Sequence, residues 1–282
     1  MAPIKEITRA ARDISEQSLS KRLPLPAARD ELRRLSETLN AMLSRLETAF
    51  KRVVEFTSDA SHELRTPVAI IRTTAELMQE KKRTVAEYEE ANAQILSEAE
   101  RTSNLIEELL TLARADSHVL EMSFSEVNLC DVAREVMAST AALAESKNIS
   151  LSPNISETAV IVSGDYNAIR RLVVIFVDNA IKYSAPKQDV LISVNAEGGS
   201  AAIEVRDEGI GIAEQDLHHV FERFYRADKA RSREMGGAGL GLSIAKWIAD
   251  SHDAQIDVKS ALGKGSRFKA VFRSRGRFVN EL

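Results

Sequence analysis

No glycine occurs before Gly164 in this chain of 282 residues, although the chain contains 12 glycines in all. Glycine supplies the backbone conformations of tight turns and weakens helices, so a glycine-free stretch of this length predicts a few long helices. Beyond Gly164, glycines alternate with short apolar runs of the kind that form strands. The sequence therefore predicts an elongated helical module followed by a compact α/β domain.

Apolar residues in the helical half recur at alternating spacings of three and four, which is the heptad pattern of a coiled coil. The first such helix is predicted to pass through His62 to about Glu80, with Pro67 kinking it or removing a hydrogen bond. After a polar break, a second helix is predicted to end near Ala115. Two antiparallel helices with apolar stripes leave surface unburied, so two copies are predicted to form a four-helix bundle. The stripes are Leu32, Leu35, Leu39, Met42, Leu46, Ala49, Val53, Phe56 and Ala60, then Ile95, Ala99, Thr102, Ile106, Leu109 and Ala113.

The segment Leu23-Pro24-Leu25-Pro26 cannot continue a helix and is interpreted as an extended connector. It follows a predicted short helix from Ile4 to Ile14 and precedes Asp30 and Glu31, whose charges favour a helix start.

The second half alternates predicted strands and helices. The segment Gly211–Gly236, here called the lid, is charged and has little apolar periodicity, as in functional loops. The predicted strands are Ser123–Val127, Val160–Val162, Val190–Asn195, Ala201–Arg206, Gln255–Lys259 and Arg267–Phe272, and the predicted helices are Leu129–Ser146, Tyr166–Tyr183 and Leu240–Asp250.

Composition excludes several classes of protein. The formal net charge is −4 and the pI is about 5.9, with no aromatic-interleaved basic stripe, so we expect no nucleic-acid partner. The single cysteine, Cys130, excludes an intramolecular disulfide and fits a reducing compartment. The longest apolar run, Leu172 to Val177, is too short to cross a bilayer. Neither a Walker A string nor the catalytic-loop signature of serine, threonine and tyrosine kinases occurs.

The string His62-Glu63-Leu64-Arg65-Thr66-Pro67 has the residues of a nucleophilic site on a helix. A histidine of ordinary pKa, about 6.5, is mostly neutral at pH 7, and a neutral imidazole is a nucleophile. The carboxylate of Glu63 can orient the ring and accept its proton. Thr66 lies one turn further on, so its hydroxyl could position a water or a phosphoryl group. These three residues are therefore the predicted catalytic residues.

This string resembles the phosphoacceptor box of sensor histidine kinases, and further motifs of that family follow in the family's order. The amino-terminal part, from Pro3 to about Phe50, resembles a HAMP relay. The later strings are similar to the N box, the first glycine box, the phenylalanine box, the second glycine box and the closing turn. They are Asp178-Asn179-Ala180-Ile181-Lys182-Tyr183-Ser184, Asp207-Glu208-Gly209-Ile210-Gly211-Ile212, Phe221-Glu222-Arg223-Phe224-Tyr225-Arg226, Gly236-Gly237-Ala238-Gly239-Leu240-Gly241-Leu242 and Gly263-Lys264-Gly265-Ser266-Arg267-Phe268.

The resemblance implies a fold of α plus α/β class. A HAMP linker would occupy residues 3–50 and a dimerisation and histidine-phosphotransfer hairpin residues 51–118. An α/β sandwich ATPase domain of the histidine kinase, gyrase and Hsp90 type would occupy residues 119–275, followed by a tail at 276–282. It also implies a homodimer that phosphorylates His62 from ATP and passes the phosphoryl group to an aspartate in the receiver domain of a response regulator. A reverse phosphatase activity, helped by Glu63 and Thr66, is implied as well.

The N box is expected to hold the metal and phosphates. The neutral amide of Asn179 suits Mg²⁺ bound with triphosphate. Lys182, about one turn further on, could meet a phosphate, although an ordinary solvated lysine is an open alternative. Tyr183 could pack either on the nucleotide or on the core.

The glycine boxes are expected to hold the rest of the ATP. The carboxylate of Asp207 would accept a hydrogen bond from the adenine amino group, and Gly209 and Gly211 would let backbone approach the flat ring. Free N–H groups at a helix start near Leu240 would bind phosphate. That start is flanked by Gly237, Gly239 and Gly241. Arg226, with Lys229, Arg231 and Arg233, could reach phosphates, while Phe221 and Phe224 would anchor the lid.

The chain departs from the family pattern at three places. Ile175 stands where the family usually has asparagine, Ala238 replaces a threonine or serine, and His252-Asp253-Ala254 lacks the usual glycine pair. Ile175 and Ala238 keep one alternative open, namely a catalytically weak relay module, and Thr66 keeps open a second, namely a core in which phosphatase activity dominates. Because HAMP modules normally follow a transmembrane helix, we expect the cytoplasmic portion of an inner-membrane receptor, soluble as it stands, whose upstream helix is absent from this chain.

Overall fold

The structure is a computed structural model that describes residues 20–25, 31–116, 122–197, 199–227 and 237–273. The described residues fall into two compact units that divide between Thr66 and Pro67. The predicted helix Ile4–Ile14 lies outside the described residues. Within them, no helix has the length and apolarity that a membrane span requires.

The long helix α1 extends from Glu31 to Glu80 and carries the predicted heptad stripe. It passes through Pro67 without ending, so the proline is accommodated inside one continuous helix. Several stripe residues stay largely exposed in the single chain, among them Leu35, Met42, Leu46 and Val53. This unburied apolar surface is what the coiled-coil pattern predicts for a helix that needs a second copy.

The predicted connector lies on the first part of α1. Asn40 clamps it through two hydrogen bonds, because its Oδ1 accepts from the Leu23 backbone N at 2.8 Å and its Nδ2 donates to the Leu23 carbonyl at 3.0 Å. The Leu23 side chain is buried in a small cluster with Leu43 and Leu39. The described part of the connector, residues 23–25, is therefore not helical, and Leu23 fixes it on α1 by both polar and apolar contacts. Pro26 lies outside the described residues.

A second helix, α2, extends from Val85 to Asp116 and completes a helical hairpin with the end of α1. Its start is a capping box, in which the Thr84 backbone N donates to Glu87 Oε2 at 2.7 Å and the Glu87 N donates to Thr84 Oγ1 at 3.3 Å. The Tyr88 hydroxyl donates across the hairpin to the Met78 carbonyl at 3.4 Å. The predicted break at 81–84 is therefore confirmed.

The remaining elements form an α/β domain. A five-stranded sheet has the order β2-β4-β5-β7-β6, with β2 parallel to β4 and the other neighbours antiparallel, and β1 pairs with β3 in a separate two-stranded sheet. The elements in chain order are β1 Ser125–Asn128, α3 Leu129–Ser146, β2 Ser150–Ile155, β3 Ile161–Gly164, α4 Tyr166–Tyr183, β4 Asp189–Glu197, β5 Ser200–Asp207, a 3₁₀ turn Glu214–Asp216, α5 Gly241–Ser251, β6 Gln255–Ser260 and β7 Ser266–Arg273.

Strand β2 was not predicted from the sequence. Its segment contains Pro153, which argues against a strand wherever a backbone donor is needed. In the structure β2 lies at the edge of the sheet and pairs only with β4 among the described strands. The proline is therefore tolerated there.

Helices α3, α4 and α5 pack side by side against the sheet. Side-chain caps fix the starts of two of them, since Asn128 Oδ1 accepts from the Cys130 N at 3.2 Å and Asp165 Oδ1 accepts from the Ala168 N at 3.0 Å. Phe176 of α4 stacks on Phe268 of β7 with 5.4 Å between the ring centroids. This helix-on-sheet layer places the end of α4, the end of β5 and the start of α5 beside one cavity.

Candidate functional site

The cavity has about 760 Å³ of open space, including its mouth. Five of the predicted binding residues line it, namely Asn179, Tyr183, Asp207, Gly211 and Arg226. Its other lining residues are Ile210, Ile212, Val220, Tyr225, Ala227, Leu242, Ser266 and Phe268. A mostly apolar cavity with a few convergent polar groups is the usual form of a small-molecule site.

Asp207 is the acidic residue among those that line this cavity, and only 5% of its surface is exposed. Its Oδ1 accepts hydrogen bonds from the Gly209 N at 2.8 Å and the Ser266 N at 3.1 Å. Burial raises the pKa of this carboxyl, and the two backbone donors act in the opposite direction. Its Oδ2 receives no hydrogen bond from the described residues, so this oxygen can accept one from the amino group of a ligand.

Gly209 and Gly211 shape the wall beside Asp207. A Cβ at Gly209 would overlap the Tyr183 carbonyl, and a Cβ at Gly211, where φ is +69°, would overlap the Ala261 carbonyl. Glycine is therefore required for the protein's own backbone to close around the cavity. That these glycines also approach a flat ring stays a prediction.

Helix α4 brings the N-box residues to the same cavity. Asn179 is half-buried and presents its amide there. Burial lowers the pKa of Lys182, while Asp178 raises it and Arg226 lowers it further. A Cβ at Gly237 would overlap Lys182 Nζ, so the lysine head lies against the second glycine box. Among the described residues no group of three or more histidine, cysteine, aspartate or glutamate side chains could hold a metal.

The second glycine box leads into α5 as predicted. Leu240 is fully buried, and α5 begins at Gly241 with no side-chain cap on its first N–H groups. An uncapped helix start is a site to which phosphate oxygens can bind. The Phe224 N donates to the Gly239 carbonyl at 3.0 Å, and Arg226 donates to the Gly237 carbonyl, so this part of the lid is bonded to the second glycine box. Gly236, Lys229, Arg231 and Arg233 lie outside the described residues.

The predicted phosphoacceptor lies on α1 in the first unit. His62 is exposed and Glu63 is half-buried. Thr66 Oγ1 is directed at the His62 carbonyl at 3.5 Å. The His62 imidazole therefore lies on the helix surface, where a reactant can reach it, and Glu63 is the next residue in the chain.

Two of the departures from the family pattern have packing roles. Ile175 lies against the start of α5, since a Cβ at Gly241 would be 3.3 Å from Ile175 Cγ2. His252 is buried, donates from Nδ1 to the Ile248 carbonyl at 2.7 Å and accepts from the Asp165 N at 3.0 Å. These two bonds fix a neutral tautomer that joins the end of α5 to the start of α4.

The end of α2 contacts the α/β domain through charged groups. Arg171 of α4 donates to Thr111 Oγ1 at 2.8 Å. Arg223, which lies within the lid, donates to both oxygens of Asp116 at 2.8 and 2.6 Å. Burial raises the pKa of Glu108 on the same helix, with Arg171 and Lys182 lowering it and Asp178 raising it. Neither Thr111 nor Asp116 was predicted as a contact from the sequence.

Three family models match the chain. The HAMP domain matches residues 1–48, the His Kinase A (phospho-acceptor) domain matches residues 52–118, and the histidine kinase-, DNA gyrase B-, and HSP90-like ATPase matches residues 164–276. Together they are the domain set of a histidine kinase.

Curated relatives and solved structures agree with this class. The sensor histidine kinase YkoH of Bacillus subtilis is 38% identical over 96% of the chain and 59% of its own length. The signal transduction histidine-protein kinase ArlS of Staphylococcus aureus is 33% identical over 96% of the chain and 60% of its own length. The structure of the Acinetobacter baumannii histidine kinase AdeS shares the fold, with a TM-score of 0.61 at 22% identity over 76% of the chain and 98% of that chain. Full-length ShkA in complex with AMPPNP has a TM-score of 0.60 at 25% identity over 80% of the chain and 47% of that chain.

The chain therefore belongs to the sensor histidine kinases. It spans about three-fifths of the length of the curated relatives that it matches.

Proposed function

We propose that this chain is the signalling core of a dimeric sensor histidine kinase, which phosphorylates His62 from ATP and passes the phosphoryl group to a response-regulator aspartate. The proposal is carried by one observation. The same chain has an exposed histidine, His62, followed by the carboxylate of Glu63, and a cavity in which the buried carboxylate of Asp207 can accept a hydrogen bond from an amino group. The ShkA structure holds an ATP analogue, AMPPNP, in a protein of the same fold.

Each residue has a physical task in binding ATP. Asp207 Oδ2 accepts from the adenine amino group, and the apolar walls at Ile210, Val220 and Phe268 exclude water from the base. The uncapped start of α5 and the Lys182 ammonium lie where negative phosphate oxygens are stabilised. Asn179 supplies an amide oxygen for Mg²⁺, which, when bound, offsets phosphate charge.

The transfer step needs a nucleophile and a base. A ring nitrogen of His62 attacks the γ-phosphorus, a P–N bond forms, and the bond to the oxygen that bridges to the β-phosphate breaks, so that ADP leaves. Glu63 hydrogen-bonds the other ring nitrogen and accepts its proton. The phosphohistidine is a high-energy donor that a receiver-domain aspartate then accepts.

We propose a homodimer because the apolar stripe of α1 is exposed in one chain. Met42, Leu46, Phe50 and Val53 each expose more than two-fifths of their surface. A second copy would bury these side chains in a four-helix bundle. The HAMP segment further supports a receptor whose signal enters from a membrane-spanning helix on its amino-terminal side.

Labelled ATP tests the assignment directly. The parent chain and His218→Gln, in which an exposed histidine that does not line the cavity is replaced, are expected to incorporate γ-phosphate that is labile to acid and stable to alkali. His62→Gln is expected to incorporate none while binding ADP like the parent. Equal labelling of His62→Gln and the parent would show that His62 is not the acceptor.

A further inference from the structure

Two serine hydroxyls lie close to Asp207, whose Oδ1 accepts from the Ser266 N. Ser266 lines the cavity, whereas Ser260, at the end of β6, is not among its lining residues and pairs with Ser266 in the β6–β7 ladder. The Ser260 Oγ is 2.7 Å from the Ile212 N, 2.8 Å from the Gly265 carbonyl oxygen and 3.0 Å from the Ser266 Oγ. One hydroxyl therefore makes three polar contacts around the turn that carries Ser266.

The partners of Ser260 determine the direction of its hydrogen bonds. A hydroxyl has one proton to donate and two lone pairs with which to accept. The Ile212 N–H can only donate and the Gly265 carbonyl can only accept. Ser260 therefore gives its proton to Gly265 and has one lone pair left. The Ser266 hydroxyl satisfies that lone pair by donating its own proton to Ser260, and every group in the cluster is then paired.

This direction leaves Ser266 as an acceptor towards the cavity. Because its proton is given to Ser260, the Ser266 hydroxyl has only lone pairs to offer a ligand in the cavity that it lines together with Asp207. Two acceptors side by side match an exocyclic amino group, which has two N–H donors. A 6-oxo purine would place an acceptor oxygen against both of them, and unmatched buried polar groups are rejected strongly.

We propose that Ser260 is a positioning residue that fixes the Ser266 hydroxyl as an acceptor and thereby selects 6-amino over 6-oxo purine nucleotides. The proposal rests on the proposed function, because it assumes that the cavity binds the purine of a nucleotide. Ser260 acts only through Ser266 and touches no ligand. Without Ser260, the Ser266 hydroxyl rotates and donates to an O6 oxygen.

The experiment measures the dissociation constants of ADP and IDP, each with Mg²⁺, by calorimetry on the full chain. In Ser260→Ala the ratio of IDP to ADP dissociation constants is expected to fall by about fivefold to tenfold. Ser260→Thr keeps the hydroxyl and is expected to restore the parent ratio. Ser152→Ala is the matched control, because its hydroxyl bonds Asp189 at 2.7 Å on the opposite edge of the sheet and is expected to change nothing.

A double-mutant cycle separates positioning from general damage. If Ser260 acts through Ser266, adding Ser260→Ala to Ser266→Ala does not change the ratio of IDP to ADP dissociation constants further, because the effects of substitutions at interacting residues are not additive. Equal weakening of ADP and IDP in Ser260→Ala, or an unchanged ratio, overturns the inference. If Ser260→Ala does not fold, an unchanged ratio in Ser266→Ala overturns it. Failure of the parent to bind ADP would instead overturn the proposed function.

Discussion

The Arg223 guanidinium binds both carboxylate oxygens of Asp116, at 2.8 and 2.6 Å, and so joins the last residue of α2 to the lid. Two parallel N–H···O bonds make this a geometrically specific pair. Both side chains are partly exposed, at 33% and 59%, so the pair contributes at most about 1 kcal/mol. A contact of that strength can be released and remade without disturbing either domain.

We expect Asp116→Asn to raise the rate of autophosphorylation by about twofold to fivefold, which is the kinetic equivalent of losing a contact of up to about 1 kcal/mol. Phosphoryl transfer requires the ATPase domain to approach His62 and then withdraw. The Arg223–Asp116 contact with α2 is expected to slow this movement. Higher salt is expected to accelerate the parent and not the variant, because screening weakens exposed pairs. The exchanged pair Asp116→Arg with Arg223→Asp is expected to return the parent rate. A slower Asp116→Asn variant would contradict this role.

Replacing Asp207 by asparagine is expected to separate stability from binding. Burial raises the pKa of Asp207 above its ordinary value of 3.8, so its stabilising contribution is complete below that pH and is lost as pH rises through the folded-state pKa. Asp207→Asn removes this loss, because the amide oxygen can still accept from the Gly209 and Ser266 backbones. The variant is expected to melt no lower than the parent at pH 7 and to bind ADP at least about tenfold more weakly.

Thermal unfolding across pH, together with ADP titration, checks this prediction. The difference in melting temperature between the variant and the parent is expected to grow as pH rises above the ordinary pKa of 3.8 and through the raised folded-state pKa. A variant that melts well below the parent at pH 7 and binds ADP normally would contradict the assignment of Asp207.

Two glycines of the β6–β7 turn provide a matched pair of substitutions. Gly263 and Gly265 have φ values of +73° and +77°, so alanine is strained similarly at both positions. A Cβ at Gly263 would have nothing within 4 Å, whereas a Cβ at Gly265 would overlap the Asp207 carbonyl. We expect Gly263→Ala to lower the free energy of unfolding by about 1 kcal/mol. Gly265→Ala is expected to lower it by more than about 3 kcal/mol and to abolish ADP binding. Urea titration measures both, and equal losses would contradict the close approach.

Ile175→Asn tests whether the isoleucine that lies one turn before Asn179 limits the rate of autophosphorylation. Ile175 lies half-buried beside Asn179 and against the start of α5, where an amide would add a polar ligand near magnesium. We expect autophosphorylation at limiting Mg²⁺ to rise by about threefold or more and stability to fall by about 1 kcal/mol, because apolar packing is lost. Ile175→Leu, which is apolar, is the control. No gain at any magnesium concentration would show that Asn179 alone suffices.

Periodicity predicted the helices because α1, α2 and α4 have apolar stripes that neighbouring elements or a second copy can bury. The same pattern could not reveal β2, whose pairing depends on a partner strand distant in sequence and whose proline is acceptable only at a sheet edge. The ends of the other strands shifted by a residue or two for the same reason.

Motif order predicted that Asp207, Asn179 and Gly211 serve one nucleotide site, and all three line the same cavity. It did not reveal Ser260, because a serine at the end of a strand gains its role only from the turn folded against it. The partnership of Arg223 with Asp116 was equally hidden, since those residues are far apart in the chain and both occur in charged segments. Contacts between domains leave no local signal in a single sequence.

The hydrogen bond from the Phe224 N to the Gly239 carbonyl closes a loop of chain that begins inside the lid and ends in the second glycine box. Both residues adopt the left-handed backbone conformation, with φ values of 60° and 74°. The backbone at these two positions therefore determines where the loop closes. The free energy of closing a loop grows only slowly with its length. The length of chain between these two positions can therefore change at little cost in free energy while the start of α5 at Gly241 keeps its place.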